Sequence, residues 1–187
     1  MTPSKIKRYG WRQSRPDHTV KTYALRGGGN VVASDLRNKC PPVYDQGDLG
    51  SCTANALAGL VQFDLIRQKL PLVMPSRLFI YFWERMLEGT VDTDAGAEIG
   101  DGIRVLKEYG VCPEEIWPYD VGQFSTSPTE ACYDTAHRMY SVDDELLDGA
   151  DLTQLSDCLD SGSILAFGFN VFESFESDSV AQGAVVP

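Results

Sequence analysis

The sequence predicts an α+β chain, mostly helical, in which the first convincing strand comes only near the end. Three observations lead there. Apolar residues recur at helical spacing, with recognisable caps, between Thr53 and Leu159. One apolar and aromatic run follows, from Ile164 to Val171. The 187 residues are 43% hydrophobic, with eight Phe, eight Tyr and three Trp, enough large apolar groups for a packed core and too many for a wholly disordered chain. No apolar run approaches the roughly 20 residues a bilayer needs, so no membrane partner is expected. The basic start, Met1 to Gly10, lacks the apolar stretch of a signal peptide, and a cytoplasmic location is the expectation.

Taken in order, residues 1–34 read as a basic arm, irregular because of Pro16, the Gly27-Gly28-Gly29 run and few periodic apolar positions. The triple glycine reads as a linker, since no apolar strand precedes it and no Gly-Lys-Ser/Thr follows. Pro41-Pro42 closes this part, and residues 35–187 form the body. A first helix is expected from Thr53 to Lys69, with Leu57, Leu60, Val61 and Leu65 on one face and Arg67 and Lys69 at the favourable C-terminal end. Ser76 after Pro75 opens a second, Arg77 to Leu87, closed by Gly89. A third runs through Ile99, Ile103 and Leu106 to Gly110. Ser127-Pro128-Thr129-Glu130 reads as a capping box for a fourth, about 129–139, and Asp151 to Leu159 as a fifth ahead of Gly162. Ile164 to Val171 then reads as a buried strand.

Charge divides the chain. Up to Lys39 there are nine Lys/Arg and two Asp/Glu; from Cys40 onward, seven against 25. An acidic body repels phosphates, so nucleic acid is not an expected partner. The arm is expected either to be a solvated tail or to lie on the body, held by charge. Asp143-Asp144-Glu145 and Asp157 with Asp160 lack the spacing of a calcium loop and are expected to be solvated; no metal or cofactor is implied.

Five cysteines stand at 40, 52, 112, 132 and 158, an odd number with no CxxC pair, so zinc and thioredoxin-like chemistry are not indicated. Cys52 differs from the rest. A turn-rich loop, Val43-Tyr44-Asp45-Gln46-Gly47-Asp48-Leu49-Gly50-Ser51, leads directly into the first helix, whose start places unsatisfied N–H groups around the thiol. Such a position is expected to depress the thiol pKa and favour the thiolate. Gln46 could aim its amide at the same spot and, with the Cys52 N–H, form an oxyanion hole. The plainer alternative is a small buried cysteine at a helix start.

On these residues the sequence resembles the papain-like cysteine peptidases. Three stretches carry the likeness: Pro42-Val43-Tyr44-Asp45-Gln46-Gly47 through Gly50-Ser51-Cys52, then Tyr109-Gly110-Val111-Cys112-Pro113, then Trp117-Pro118-Tyr119-Asp120. The resemblance covers about Asp35 to Val171. It implies a mostly helical left lobe plus the beginning of a β-rich right lobe, incomplete, with Cys52 as nucleophile and Gln46 as oxyanion glutamine. Gly96 would line the cleft and pair with substrate backbone; with Gly50 and Ser51 it makes up the implied substrate-binding set. The arm resembles the N-terminal extensions of microbial members and is expected to be propeptide-like. Two departures stand out. Leu49 replaces a cysteine of the better-known signature, which fits a reducing compartment, and Thr53 replaces an aromatic residue.

The family places its His and Asn about 130–150 residues after the nucleophile, beyond Pro187, and no histidine follows His137. The His/Asn part is therefore expected from sequence beyond Pro187 or from another chain. His137, on the fourth helix, reads as a surface residue, and His18 lies in the arm. The resemblance implies a cysteine peptidase acting on peptide or protein substrate, inactive or very weak in this chain alone; the alternative is a non-catalytic peptide-binding module, or a relic of such a peptidase.

Overall fold

A computed structural model describes residues 9–27, 34–136 and 143–183. Its centre is three helices. α1 spans Cys52–Gln68, α2 Arg77–Glu88 and α3 Ile99–Glu108, and each packs on the other two. Leu57, Ala58, Val61 and Leu65 of α1 meet Leu78, Phe79 and Ile80 of α2 and Leu106 of α3 in one core, closed by Val111 and Cys112. Burying these side chains is what holds short helices that would be marginal in isolation.

The helix ends follow from their residues. Ser76 caps α2 by accepting the Phe79 N–H at 3.1 Å, and Gly89 ends it in the left-handed region at φ 69°. α1 ends at Lys69, which takes that same conformation without being glycine. α4, Glu130–Ala136, begins two residues later than a Ser127 cap implies: the Cys132 N–H is taken by the Thr129 carbonyl, which makes Thr129 the turn residue. The rest of that expected helix, His137 included, lies outside the described residues. α5, Leu152–Asp160, is capped by Asp151, whose carboxylate accepts from the N–H groups of Thr153 and Gln154. A last short helix, α6, covers Asp178–Ala181.

The arm is not irregular throughout. β1, Trp11–Arg12, pairs in parallel with β3, Ala97–Glu98, and β2, Lys21–Thr22, pairs in parallel with β4, Glu145–Leu146. These partners lie far along the sequence, so no local pattern announces them. Arg12 ion-pairs with buried Glu88, Arg15 with Glu98 and Arg26 with Glu145.

Two expectations are corrected here. Ile164 to Val171 is not a buried strand: it forms no ladder among the described residues, and Phe167 is 69% exposed. An apolar run becomes a strand only when another strand accepts its hydrogen bonds. Asp157, expected to be solvated, is instead buried. Its carboxylate accepts from the Tyr23 hydroxyl at 2.8 Å and from the N–H groups of Arg26 and Gly27 at 2.6 and 2.8 Å, so it anchors the arm.

Candidate active site

Cys52 is the first residue of α1, and the loop before it is braced from two sides. On one side Arg77 donates to the Asp45 carbonyl at 3.1 Å and to Asn55 Oδ1 at 3.0 Å while gripping both Glu114 oxygens. Its guanidinium lies 3.9 Å from the centre of the Tyr119 ring and 5.2 Å from that of Tyr44. The Tyr119 hydroxyl reaches the Gln46 carbonyl at 3.0 Å and Ser51 Oγ at 2.5 Å. On the other side Asp94 accepts the Gly50 N–H and the Tyr81 hydroxyl hydrogen, and that hydroxyl accepts the Gly96 N–H at 3.1 Å. Gly50 and Gly96 are thereby tied to each other through Asp94 and Tyr81.

Between them passes the arm. Gly10 is buried against both glycines: a Cβ on Gly10 would run into the Gly50 carbonyl, and one on Gly96 would run into the Gly10 carbonyl. The Gly10 carbonyl accepts the Ala97 N–H at 2.8 Å, and the Gly10 backbone N–H stands near enough to the Cys52 thiol to pull its pKa down. One residue further on, the Trp11 indole packs against Gly168, where it would block a Cβ. The cleft around the thiol thus holds a length of this chain's own backbone.

The residues singled out in the sequence fall into two groups. Cys52, Gly50 and Gly96 converge on Gly10. Gln46 stands half-buried on the same loop, one side-chain N–H given to the Leu49 carbonyl at 2.9 Å. Ser51 is fully buried, its hydroxyl held by Tyr119 and the Asn55 amide, so its side chain shapes the loop and does not line the cleft. His18 is exposed in the arm. Arg77, Tyr81, Asp94 and Gly10 were not legible as site residues; for Gly10 the only signal was a glycine followed by tryptophan.

The thiol departs from expectation. Burial pushes the Cys52 pKa up, and the carboxyl of Glu84 pushes it further; the N–H groups of Gly10, Thr53 and Cys52 itself pull it down without prevailing. Amides at a helix start favour the thiolate, but here desolvation outweighs them. Beyond the thiol, Glu88, Glu98 and Asp101 bring carboxylate oxygens within 4.8 Å of one another, and Arg12 and Arg15 of the arm pair with Glu88 and Glu98.

No protein-family model matches the chain. It is 37% identical, over 214 aligned positions, to an uncharacterised peptidase C1-like protein of Acanthamoeba polyphaga mimivirus, an alignment covering all of this chain and 69% of that protein. Among solved structures it is similar to xylellain, a cysteine protease from Xylella fastidiosa, with a TM-score of 0.72 and 39% identity over 82% of this chain and 63% of that one. It shares its fold with digestive procathepsin L 3 of Tenebrio molitor larval midgut, with a TM-score of 0.56 and 18% identity over 76% of this chain and 46% of that one. The chain therefore spans less than two thirds of either solved protein. By its whole-length relative, its fold and the loop that delivers Cys52 to the start of α1, the chain belongs to the papain-like, C1-like cysteine peptidases.

Proposed function

We propose that this chain carries the nucleophile of a cysteine-type peptidase and that its N-terminal arm occupies the cleft as a propeptide does. The observation that supports both is the meeting of Gly10, Gly50 and Gly96 beside the Cys52 sulfur. In this reading Cys52, as thiolate, adds to the scissile carbonyl carbon of a peptide or protein substrate. The carbonyl oxygen takes up the negative charge and is met by the Cys52 N–H and the Gln46 amide. The C–N bond then breaks as the leaving amine takes a proton, a thioester remains, and water hydrolyses it. An imidazole is needed to exchange that proton, and among the described residues none stands near the thiol.

The arm brings an amide N–H near the sulfur and binds the cleft wall through its carbonyl. Seated there, it excludes substrate backbone from Gly96. The test is labelling with a peptidyl epoxide, read at each cysteine by mass spectrometry. Cys52 is expected to react faster than buried Cys112 or Cys158, and removing residues 1–34 to speed it further. Equal rates at the three cysteines sink the nucleophile; an unchanged rate without the arm sinks the propeptide role.

A peptide-binding module without turnover is the second reading, favoured by the upward push on the thiol. A fluorogenic peptide separates the two: saturable binding with no cleavage, even after histidine-bearing sequence is supplied, supports the module.

A further inference from the structure

We infer that Glu84 is an electrostatic positioning residue for Cys52, acting through Thr53. The inference rests on Cys52 being the nucleophile. Glu84 lies in the middle of α2, fully buried, and is among the largest side chains removed from water. Thr53, the residue immediately after the nucleophile and itself buried, donates its hydroxyl to Glu84 Oε2 at 2.9 Å. Glu84 Oε1 is equally buried and has no hydrogen-bond partner. The carboxyl is packed under Gly102 of α3, where a Cβ would strike both Oε1 and Leu57. This is why Thr53 stands where an aromatic residue was expected: a hydroxyl is needed to meet the buried acid.

A carboxyl with one satisfied oxygen and one orphaned one is far cheaper to bury neutral than charged. Burial raises its pKa to about 8, against opposing contributions from the Thr53 hydrogen bond and neighbouring Arg85; Asp101 on α3 raises it further. At neutral pH the group is then a neutral prop that fixes the first turn of α1. Once ionised it places a negative charge beside the sulfur, and two like charges in one buried site titrate as a coupled pair. Cys52 already feels Glu84 in that direction. The device lets Thr53 be held by a buried carboxyl that, while neutral, does not oppose a thiolate at Cys52.

Site-resolved alkylation of the whole chain by iodoacetamide from pH 6 to 10 tests this. With Glu84→Gln, whose amide oxygen still accepts from Thr53, the Cys52 rate should match the parent near pH 6.5 and exceed it several-fold near pH 9. A ratio that stays constant across pH overturns the inference, since a merely structural change moves both ends alike. Should the variant not fold, the parent alone carries the measurement. Its Cys52 rate should climb about tenfold per pH unit near pH 6 to 7 and distinctly less than tenfold per unit across the ionisation of Glu84 at about 8, and a tenfold-per-unit climb straight through that interval overturns the inference. Cys52 outpacing Cys112 and Cys158 is read from the same digest, so failure of the nucleophile and failure of the Glu84 coupling are seen separately.

Discussion

Gly10 lies so close to Gly96 that Gly96 cannot carry a side chain: the Gly10 carbonyl occupies the place of a Gly96 Cβ while accepting the Ala97 N–H at 2.8 Å. On the other side of Gly10 lies Gly50, equally close. Gly10→Ala should therefore unseat the arm and leave the three-helix core intact. The alkylation rate of Cys52 is expected to rise about tenfold, equivalent to ~1.4 kcal/mol of lost arm binding. An unchanged rate, with unchanged protease resistance of residues 9–27, would show that the arm does not guard the thiol.

The second anchor is sensitive to acid. Hydrogen bonds from the Arg26 N–H, the Tyr23 hydroxyl and the Gly27 N–H hold the Asp157 pKa below its ordinary value. A carboxylate whose pKa is lower when folded adds stability that is complete above its unfolded pKa and disappears as pH falls through the folded one. Amides of residues 23–27 should accordingly lose hydrogen-exchange protection below about pH 4, while those of α2 keep theirs. Asp157→Asn should show the loss already at neutral pH, measured by the same exchange experiment.

Arg77 ties the loop before Cys52 to α1 and to Glu114. It pairs with Glu114 at 2.8 Å, supports the Asp45 carbonyl and Asn55, and stacks over Tyr119. Arg77→Ala leaves Glu114 without its cation in a largely buried site and should cost ~3 kcal/mol. Arg77→Lys should recover only part, because an ammonium cannot grip both carboxylate oxygens and stack at once. Urea unfolding midpoints rank the three proteins; a lysine variant as stable as the parent would contradict the geometry.

Tyr81→Phe removes the hydroxyl that donates to Asp94 and accepts from Gly96. The Gly96 N–H is then buried without that partner, at a cost of about 1–3 kcal/mol. Because the ring stays, packing is kept, and thermal unfolding should report the hydrogen bonds alone. The cleft wall should loosen with it, seen as faster exchange at the Gly50 and Gly96 amides.

How much of this was readable in the sequence depends on how far apart the partners are. The helices were legible because their signals are local: Ser76 before α2, Gly89 after it, Asp151 before α5. Cys52 was legible because a helix start and its loop adjoin in sequence. The arm's strands were not, since each two-residue strand exists only by pairing with residues from a distant part of the chain. Ile164 to Val171 failed the other way: its composition suits a strand, but pairing is a property of two segments. The thiol pKa was misjudged because helix position can be read from sequence and desolvation cannot. Glu84 was invisible for the same reason, as nothing local separates a buried glutamate from a solvated one.

The arm's pairing also sets an order of assembly. Arg15 must find Glu98, 83 residues later, and Tyr23 must find Asp157, 134 residues later. The core helices close over far shorter loops, and contacts between distant residues pay their loop-closure entropy before they are rewarded. As the chain emerges in synthesis, α1, α2 and α3 can be complete while Asp157 has not yet been made. The arm is therefore seated from its Gly10 end, and each newly made molecule passes through an interval in which that end can already be docked while the Tyr23 end is still loose.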